Sequence, residues 1–129
     1  MAPIIRVVVQ RHPADCGVAT LAMLLGVSYE DALVALAAEE PAVLTRGVFT
    51  KHLEAAAKKL GFRLTRRRRY SIEDDTGLLN LSSLKWRTDH VVVLREGLVI
   101  ETDGTIWDAG EYLSALKAKP GVLLVAEAV

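Results

Sequence analysis

The chain has 129 residues, 51% of them hydrophobic, and its 16 basic residues balance 16 acidic ones. That length suits a single domain with one core, and a zero net charge excludes the field that steers strongly basic proteins to nucleic acid or anionic membranes. The apolar runs fall far short of the roughly 18 residues that a membrane-spanning helix needs, so we expect no membrane span.

Cys16 is the one cysteine of the sequence, and residues 1–10 show neither a basic leader nor a small-residue cleavage site. One cysteine cannot form an internal disulfide, so the sequence predicts a reducing compartment, the cytoplasm, rather than a secreted scaffold. The three histidines lie far apart, and none has metal-ligand spacing with Cys16. We therefore expect no metal site.

The first half of the chain predicts three helices. After a polar turn at residues 10–15, apolar residues follow helical spacing as far as Gly26. Ser28 followed by Asp31 resembles a capping box that opens the second helix, YEDALVALAAEE. The third helix is FTKHLEAAAKKLG, ending at a glycine. The opening IIRVVV suits either a short strand or an extended lead-in.

After Gly61 the pattern changes to that of β-strands, in FRLTRRRRY, LLNLSSL, HVVVL, LVIET and GVLLVAEAV. Glu96-Gly97 predicts a tight antiparallel hairpin, TDGT a further turn, and EYLSALKAK a short helix or turn. Helices followed by antiparallel strands are typical of an α+β domain. We expect one domain over residues 1–129, with a helical part at about 13–61 packed on a sheet part at about 62–129.

Cys16 lies where a polar turn meets an apolar helix, in QRHPADCGVATLAMLLG at residues 10–26. If Asp15 caps that helix, Cys16 takes its first position, where free N–H groups and the helix dipole stabilise a thiolate. Gly17 leaves room beside the sulfur for a substrate carbonyl. The alternative is structural, because free cysteines are commonly small core residues. From spacing alone both interpretations stay open.

A cysteine nucleophile needs a base, and His90 begins the predicted strand HVVVL, so its imidazole would stand at the end of the sheet. Asp108, in IWDAG, is the candidate carboxylate that would orient this imidazole. Asp89 is a weaker candidate, because neighbours on a strand point to opposite faces. Each residue has a structural alternative: a half-buried strand-end histidine for His90, and a turn former or helix cap for Asp108.

Three further residues complete the predicted site. The carboxamide of Gln10 and the backbone N–H of Cys16 are suited to hold an oxyanion. Trp107 adjoins Asp108 and would shield the His90 region from water. We therefore expect catalytic roles for Cys16, His90, Asp108 and Gln10, and substrate-binding roles for Gly17, Asp89 and Trp107.

In chain order these residues resemble the papain-like cysteine peptidases, and Q…DCGVATLAMLLG is most similar to the bacteriocin-processing double-glycine peptidase family. GVFTKHLEAAAKKLGFRL resembles that family's second-half helix and following strand, DHVVVL its histidine strand and IWDAG its aspartate turn. The resemblance covers nearly the whole chain. It implies a papain-like fold, with a cleft between a helical lobe and an antiparallel sheet lobe. In that cleft it implies Cys16 as nucleophile, His90 as general base and acid, Asp108 as orienting group and Gln10 as oxyanion donor.

The function expected from this resemblance is hydrolysis of a peptide or other amide bond in a peptide or protein substrate, without a cofactor. Cleavage after Gly-Gly in a leader peptide is one candidate task. The chain has no GxxxxGK phosphate loop, and neither the membrane segments nor the nucleotide-binding domain of the family's transporter-fused members. Its substrate preference and oligomeric state do not follow from the sequence.

Two other functions compete with this hypothesis. A catalytically silent binding or adaptor module would keep the papain-like shape. Val91 and Ala109, where the family has an aromatic residue and a proline, are the altered flanks such a module would show. Nucleic-acid binding through RRRRY, at residues 66–70, is disfavoured because a strand sends alternate arginines to opposite faces. A charged, solvated edge strand explains these arginines at least as well. A further functional alternative is the docking of an acidic segment of a substrate or partner chain.

Overall fold

The protein is described by a computed structural model that covers residues 5–83 and 90–129. Within these ranges the helices are α1 (Cys16–Leu25), α2 (Tyr29–Glu39), α3 (Val43–Arg46), α4 (Thr50–Lys59) and α5 (Ala109–Leu116). The strands are β1 (Phe62–Arg67), β2 (Thr76–Ser82), β3 (His90–Arg95), β4 (Leu98–Ile100), β5 (Ile106–Asp108) and β6 (Lys119–Ala128). No helix in the described ranges is long and apolar enough to cross a membrane.

The helix boundaries follow the predicted start and stop signals. Gly26 ends α1 with φ +69°, in the left-handed region that glycine adopts without strain. The Ser28 hydroxyl accepts the N–H of Asp31 at 3.0 Å and opens α2, as the capping pattern predicts. Asp15 does precede α1, but its carboxylate does not cap the helix. It accepts the N–H groups of Arg11 and His12 instead, so that part of the prediction is wrong.

The six strands form one antiparallel sheet in the order β1-β6-β2-β3-β4-β5. The predicted hairpin joins β3 to β4, and Glu96 and Gly97 both have positive φ, 45° and 87°. Such two-residue turns match the twist of the paired strands. They also set the register, in which Arg95 lies opposite Leu98 and Val93 opposite Ile100.

Each face of the sheet carries a hydrophobic core. Neighbouring residues of a strand point to opposite faces, so each strand contributes to both cores. Leu78 and Val93 pack with α1, α2 and α4 in the larger hydrophobic core. Leu79 and Val92 pack with α5 in a second core on the other face. The structure is thus α+β, with the main helical layer on one face of the sheet as predicted and α5 on the other.

The segment before α1 is an extended lead-in over residues 5–10, not a strand. Its end is fixed to the hairpin region, because the N–H of Gln10 donates to the carbonyl of Thr102 at 2.8 Å. The start of the chain is therefore brought beside the residues that follow β4.

Candidate active site

A cleft of about 330 Å³ lies between the start of α1 and the sheet. Cys16 and Gly17 form one wall, His90 and Val91 at the start of β3 another. The end of β2, the first residues of β6, Arg66 of β1, and the start of α4 with the segment leading into it also line the cleft. The cleft thus lies between the helical half of the chain and the sheet half, and residues of both line it.

The Cys16 thiol and the His90 imidazole face each other within hydrogen-bonding reach. Cys16 is the first residue of α1, and α1 packs against β3, which begins with His90. The first N–H groups of a helix have no acceptor inside that helix, and together with the helix dipole they favour a negative group there. The sulfur of Cys16 is half-buried at this helix start and lies next to the imidazole.

A carboxylate completes the row of groups, and it belongs to Glu101. Its Oε1 lies 2.7 Å from Nε2 of His90, and the two side chains are only 16% and 23% exposed. Because Glu101 takes Nε2, the other ring nitrogen, Nδ1, is left for Cys16. The N–H of Thr102 donates to the same carboxylate oxygen at 2.8 Å, and the Tyr112 hydroxyl donates to Oε2.

These contacts change the charge states of both residues. Burial alone would lower the pKa of His90, but hydrogen bonds to Cys16 and Glu101 and the charges of both groups outweigh it and raise that pKa to about 9. Burial opposes the ionisation of Glu101, yet donors from His90, Tyr112 and Thr102 lower its pKa to about 2. The pair is therefore an imidazolium and a carboxylate at neutral pH.

Asp108 does not stand beside this imidazole. Its carboxylate accepts the N–H of Glu111 at 3.0 Å and caps α5, so the structural alternative describes it correctly. Asp108 pairs with Leu98, at the turn end of the hairpin, whereas His90 is at the opposite end of β3. The carboxylate that contacts His90 in the structure is that of Glu101, not Asp108.

Gln10 is held close to the same carboxylate through Thr102. The Thr102 side chain is buried and its hydroxyl contacts both the Gln10 carboxamide oxygen and Glu101 Oε1, the latter at 3.1 Å. The Gln10 carboxamide nitrogen donates to the carbonyl of His12 at 2.7 Å. An amide nitrogen carries two hydrogens, so one remains for a further acceptor.

Gly17 is required by the close approach of Val48. A Cβ at position 17 would lie 2.5 Å from Cγ2 of Val48, a distance that real contacts do not reach. Both residues line the cleft. The glycine therefore keeps this wall of the cleft close-packed without a side chain beside the sulfur.

The other two predicted substrate-binding residues have different outcomes. Trp107 is 43% exposed, and its ring packs edge-on against that of Tyr112, with the ring centroids 5.9 Å apart. The Tyr112 hydroxyl donates to Glu101, which in turn contacts His90. Asp89 lies outside the described residues.

The arginine run is divided among several environments. β1 is an edge strand of the sheet and ends at Arg67. Arg66 lines the cleft and is paired with Glu54 at 3.1 and 2.6 Å. This arrangement gives no single face holding the whole run.

Glu101, Thr102 and Tyr112 are the site residues that sequence reasoning missed. A signal for the first two was present, because a two-residue turn at Glu96-Gly97 fixes which residues of β3 and β4 stand opposite one another. Tyr112 reaches the site through the packing of α5, which no local pattern indicates.

Among residues 5–83 and 90–129, no group of three His, Cys, Asp or Glu side chains is placed to hold a metal ion.

A thiol, an imidazole and a carboxylate in a row, with a helix N-terminus behind the sulfur, can perform acyl transfer. Two solved structures are similar to this chain in fold. A double glycine motif protease from an AMS/PCAT transporter, solved in complex with the leader peptide, matches with TM-score 0.66 and 20% identity. The match covers 98% of this chain and 93% of that one.

The peptidase domain of Streptococcus ComA, a bifunctional ABC transporter involved in quorum sensing, matches with TM-score 0.65 and 20% identity. Here 98% of this chain and 100% of that one are covered. No family model matches the chain, and no curated protein matches it in sequence. The structural likeness confirms the predicted fold, that of double-glycine peptidase domains.

Proposed function

We propose that the protein is a cysteine peptidase in which Cys16 is the nucleophile, His90 the general base and acid, and Glu101 the group that orients His90. The observation that carries this proposal is the row of Cys16, His90 and Glu101 at the wall of an open cleft. Helical and sheet halves of the chain must meet to form this row. A packing role for Cys16 alone would need neither the imidazole nor the carboxylate.

The reaction we propose begins when the Cys16 thiolate attacks the carbonyl carbon of the scissile amide. The resulting oxyanion accepts hydrogen bonds from the Cys16 N–H and from Nε2 of Gln10. The His90 imidazolium gives its proton to the leaving amine, and a thioester remains on Cys16. Neutral His90 then takes a proton from water, whose oxygen attacks the thioester and releases the acid and the thiolate.

The substrate we propose is a peptide cleaved after a Gly-Gly pair. Support comes from the fold shared over nearly the full chain with double-glycine peptidase domains, one of them solved with a leader peptide. Because a cysteine nucleophile must stay reduced, we propose the cytoplasm as its compartment.

The test is turnover of a fluorogenic Gly-Gly peptide by the wild-type protein and by Cys16→Ala. We expect the substitution to abolish cleavage while the circular dichroism spectrum stays unchanged. The matched control is Asp108→Asn, which keeps a cap for α5 and should retain activity. Cleavage at the original rate by Cys16→Ala would refute the proposal.

One observation favours a binding or adaptor module instead. Both ends of the Gln10 carboxamide are already engaged, by His12 and Thr102. An adaptor would bind a peptide in the cleft and leave it uncleaved, although Cys16 and His90 are both present. A peptidase would cleave the peptide that it binds, and His90→Gln should lower this turnover.

A further inference from the structure

A second cleft, about 770 Å³ in volume, continues from the catalytic one along β6. Gly121 and Val122 line both clefts, so the two adjoin rather than lie apart. The segment that follows β1, with Arg68, Arg69 and Tyr70, forms the opposite wall of the second cleft. The two clefts therefore meet at the first residues of β6, close to the wall that carries Cys16.

Among the described residues, the two clefts are lined by basic side chains and by no acidic ones. Arg66 and Lys119 line the catalytic cleft, Arg68 and Arg69 line the second, and no Asp or Glu of the described ranges lines either. The whole chain has zero net charge, so this is a local separation of charge. A groove lined by one sign of charge attracts a chain of the opposite sign.

Two of these cations have open hydrogen-bonding capacity. Arg66 already makes a two-pronged pair with Glu54. Arg68 and Arg69 are exposed, and neither forms an ion pair or hydrogen bond with the part of the chain that the structure describes. Their guanidinium groups are therefore free to bind a carboxylate in the geometry that arginine favours.

Protection of the sheet edge does not account for these two residues. Arg63 and Arg67 lie within β1, where charges prevent edge-to-edge pairing with another sheet. Arg68 and Arg69 come after the strand has ended. Next to them the Tyr70 hydroxyl donates to the carbonyl of Gly121, which holds this segment against β6 beside the cleft.

We propose that Arg68 and Arg69 form a subsite for an acidic segment of the peptide substrate, Asp or Glu residues near the scissile bond. This subsite deepens the proposed peptidase function and rests on it. A peptide is favoured over nucleic acid because the second cleft adjoins the one that holds Cys16. Exposed ion pairs act mainly on encounter, so the subsite should affect KM more than kcat.

The experiment compares two fluorogenic peptides with the same Gly-Gly cleavage position, one carrying an Asp-Asp pair and the other Asn-Asn. The pair is moved stepwise along the peptide on both sides of the scissile bond. At its best position the acidic peptide should have a roughly three- to tenfold higher kcat/KM for the wild-type protein, and added salt should reduce this preference.

The double variant Arg68→Glu with Arg69→Glu should lose or reverse the preference. Its matched control is Arg63→Glu with Arg67→Glu, which changes the net charge equally but involves residues that line neither cleft. The control should keep the preference. Equal cleavage of both peptides by the wild-type protein, or loss of the preference in both variants, would overturn the subsite while leaving the peptidase intact.

Binding measured without turnover separates the two proposals. Fluorescence anisotropy with Cys16→Ala should show tighter binding of the acidic peptide than of the Asn-Asn peptide. Adding Arg68→Glu and Arg69→Glu to this variant should remove the difference. If the wild-type protein cleaves neither peptide and this binding difference persists, the peptidase fails and the subsite stands. If labelled RNA binds through Arg68 and Arg69 and the peptides show no difference, the subsite proposal is overturned.

Discussion

At the residue scale, Thr102 connects two parts of the site that come from opposite ends of the chain. Its hydroxyl contacts the Gln10 carboxamide oxygen and the Glu101 carboxylate. Its backbone carbonyl accepts a hydrogen bond from the backbone N–H of Gln10. A hydroxyl has one hydrogen, so it donates to one of these oxygens at a time. Because the Gln10 carboxamide oxygen contacts the Thr102 hydroxyl, the carboxamide nitrogen points to the other side, where it donates to the carbonyl of His12. Thr102 is thus a positioning residue for the proposed oxyanion donor.

Replacing Thr102 by valine keeps the shape and removes this hydrogen bond. We expect kcat to fall about tenfold or more, with KM little changed, because an oxyanion donor acts in the transition state. Thr102→Ser restores the hydroxyl and should recover most of kcat. Steady-state kinetics of both variants check this. Equal loss in the serine variant would show that the threonine only packs.

The two candidate carboxylates can be separated by substitution. Glu101→Gln removes the charge that helps raise the pKa of His90, so that pKa should fall and the alkaline limit of activity should move to lower pH. We expect kcat/KM at neutral pH to fall about 10²-fold or more. The measurement is a pH profile of kcat/KM.

The same profile for Asp108→Asn should match that of the wild-type protein. Asp108→Ala should lower the free energy of unfolding by about 1 kcal/mol, since the cap of α5 is lost, without moving the pH limits. A shifted alkaline limit in Asp108→Asn would contradict the assignment to Glu101.

At the element scale, the hairpin shows what the sequence could predict and how the prediction stopped short. Glu96-Gly97 was enough to place a two-residue turn, and such a turn pairs Arg95 with Leu98. Continuing that register brings Glu101 opposite Val92, near His90, and leaves Asp108 at the other end. Counting the register would have directed attention to the residues just after β4, Glu101 among them, rather than to Asp108.

The packing of Gly17 against Val48 illustrates what local patterns do not contain. Helical spacing and capping signals placed α1 and α2 from residues that are neighbours in sequence. Val48 approaches Gly17 only because α1 and α4 pack together, which depends on the whole helical layer. For the same reason the short α3 and the contact of Tyr112 with Glu101 were not predicted.

Gly17→Ala tests this contact. In most helices alanine is more favourable than glycine by about 1 kcal/mol, but here its Cβ would lie 2.5 Å from Val48 Cγ2. We expect a net destabilisation of roughly 1–3 kcal/mol, measured by urea unfolding, and lower activity because both residues line the cleft. The double variant with Val48→Ala should be more stable than the additive sum of the two single changes. Strict additivity would show that the two sites are independent.

At the scale of the whole molecule, the His90–Glu101 pair should shape the dependence of stability on pH. The pKa of His90 is raised to about 9, so its contribution is fully present below the usual value of 6.5 and is lost as pH rises through 9. The pKa of Glu101 is lowered to about 2, so its contribution is present above 4.5 and is lost as pH falls through 2.

The pair therefore contributes most between about pH 4.5 and 6.5, by roughly 1–3 kcal/mol. Urea unfolding at a series of pH values measures it. Glu101→Gln should flatten the alkaline decline, since the pKa of His90 then stays closer to its ordinary value. An unchanged slope in that variant would assign the decline to other groups.

The fold class and the alternation of elements were predictable because they follow from periodicity and turn residues. The strand order was not, since β6 enters the sheet between β1 and β2, which precede it in the chain. Pairings between residues so far apart leave no local pattern in the sequence. The same holds for the candidate site, where Cys16 and His90 were proposed from their chemistry but their contact depends on how α1 packs on the sheet.

The position of β6 has a consequence for how the protein is made. β1 and β2 are synthesised first, yet each pairs with β6 rather than with the other. On the ribosome, a chain that has not yet reached Lys119 carries its reactive sulfur but lacks the strand that joins the two pieces of the sheet and lines both grooves. The proposed site is therefore complete only after β6 has been translated and has paired with both strands.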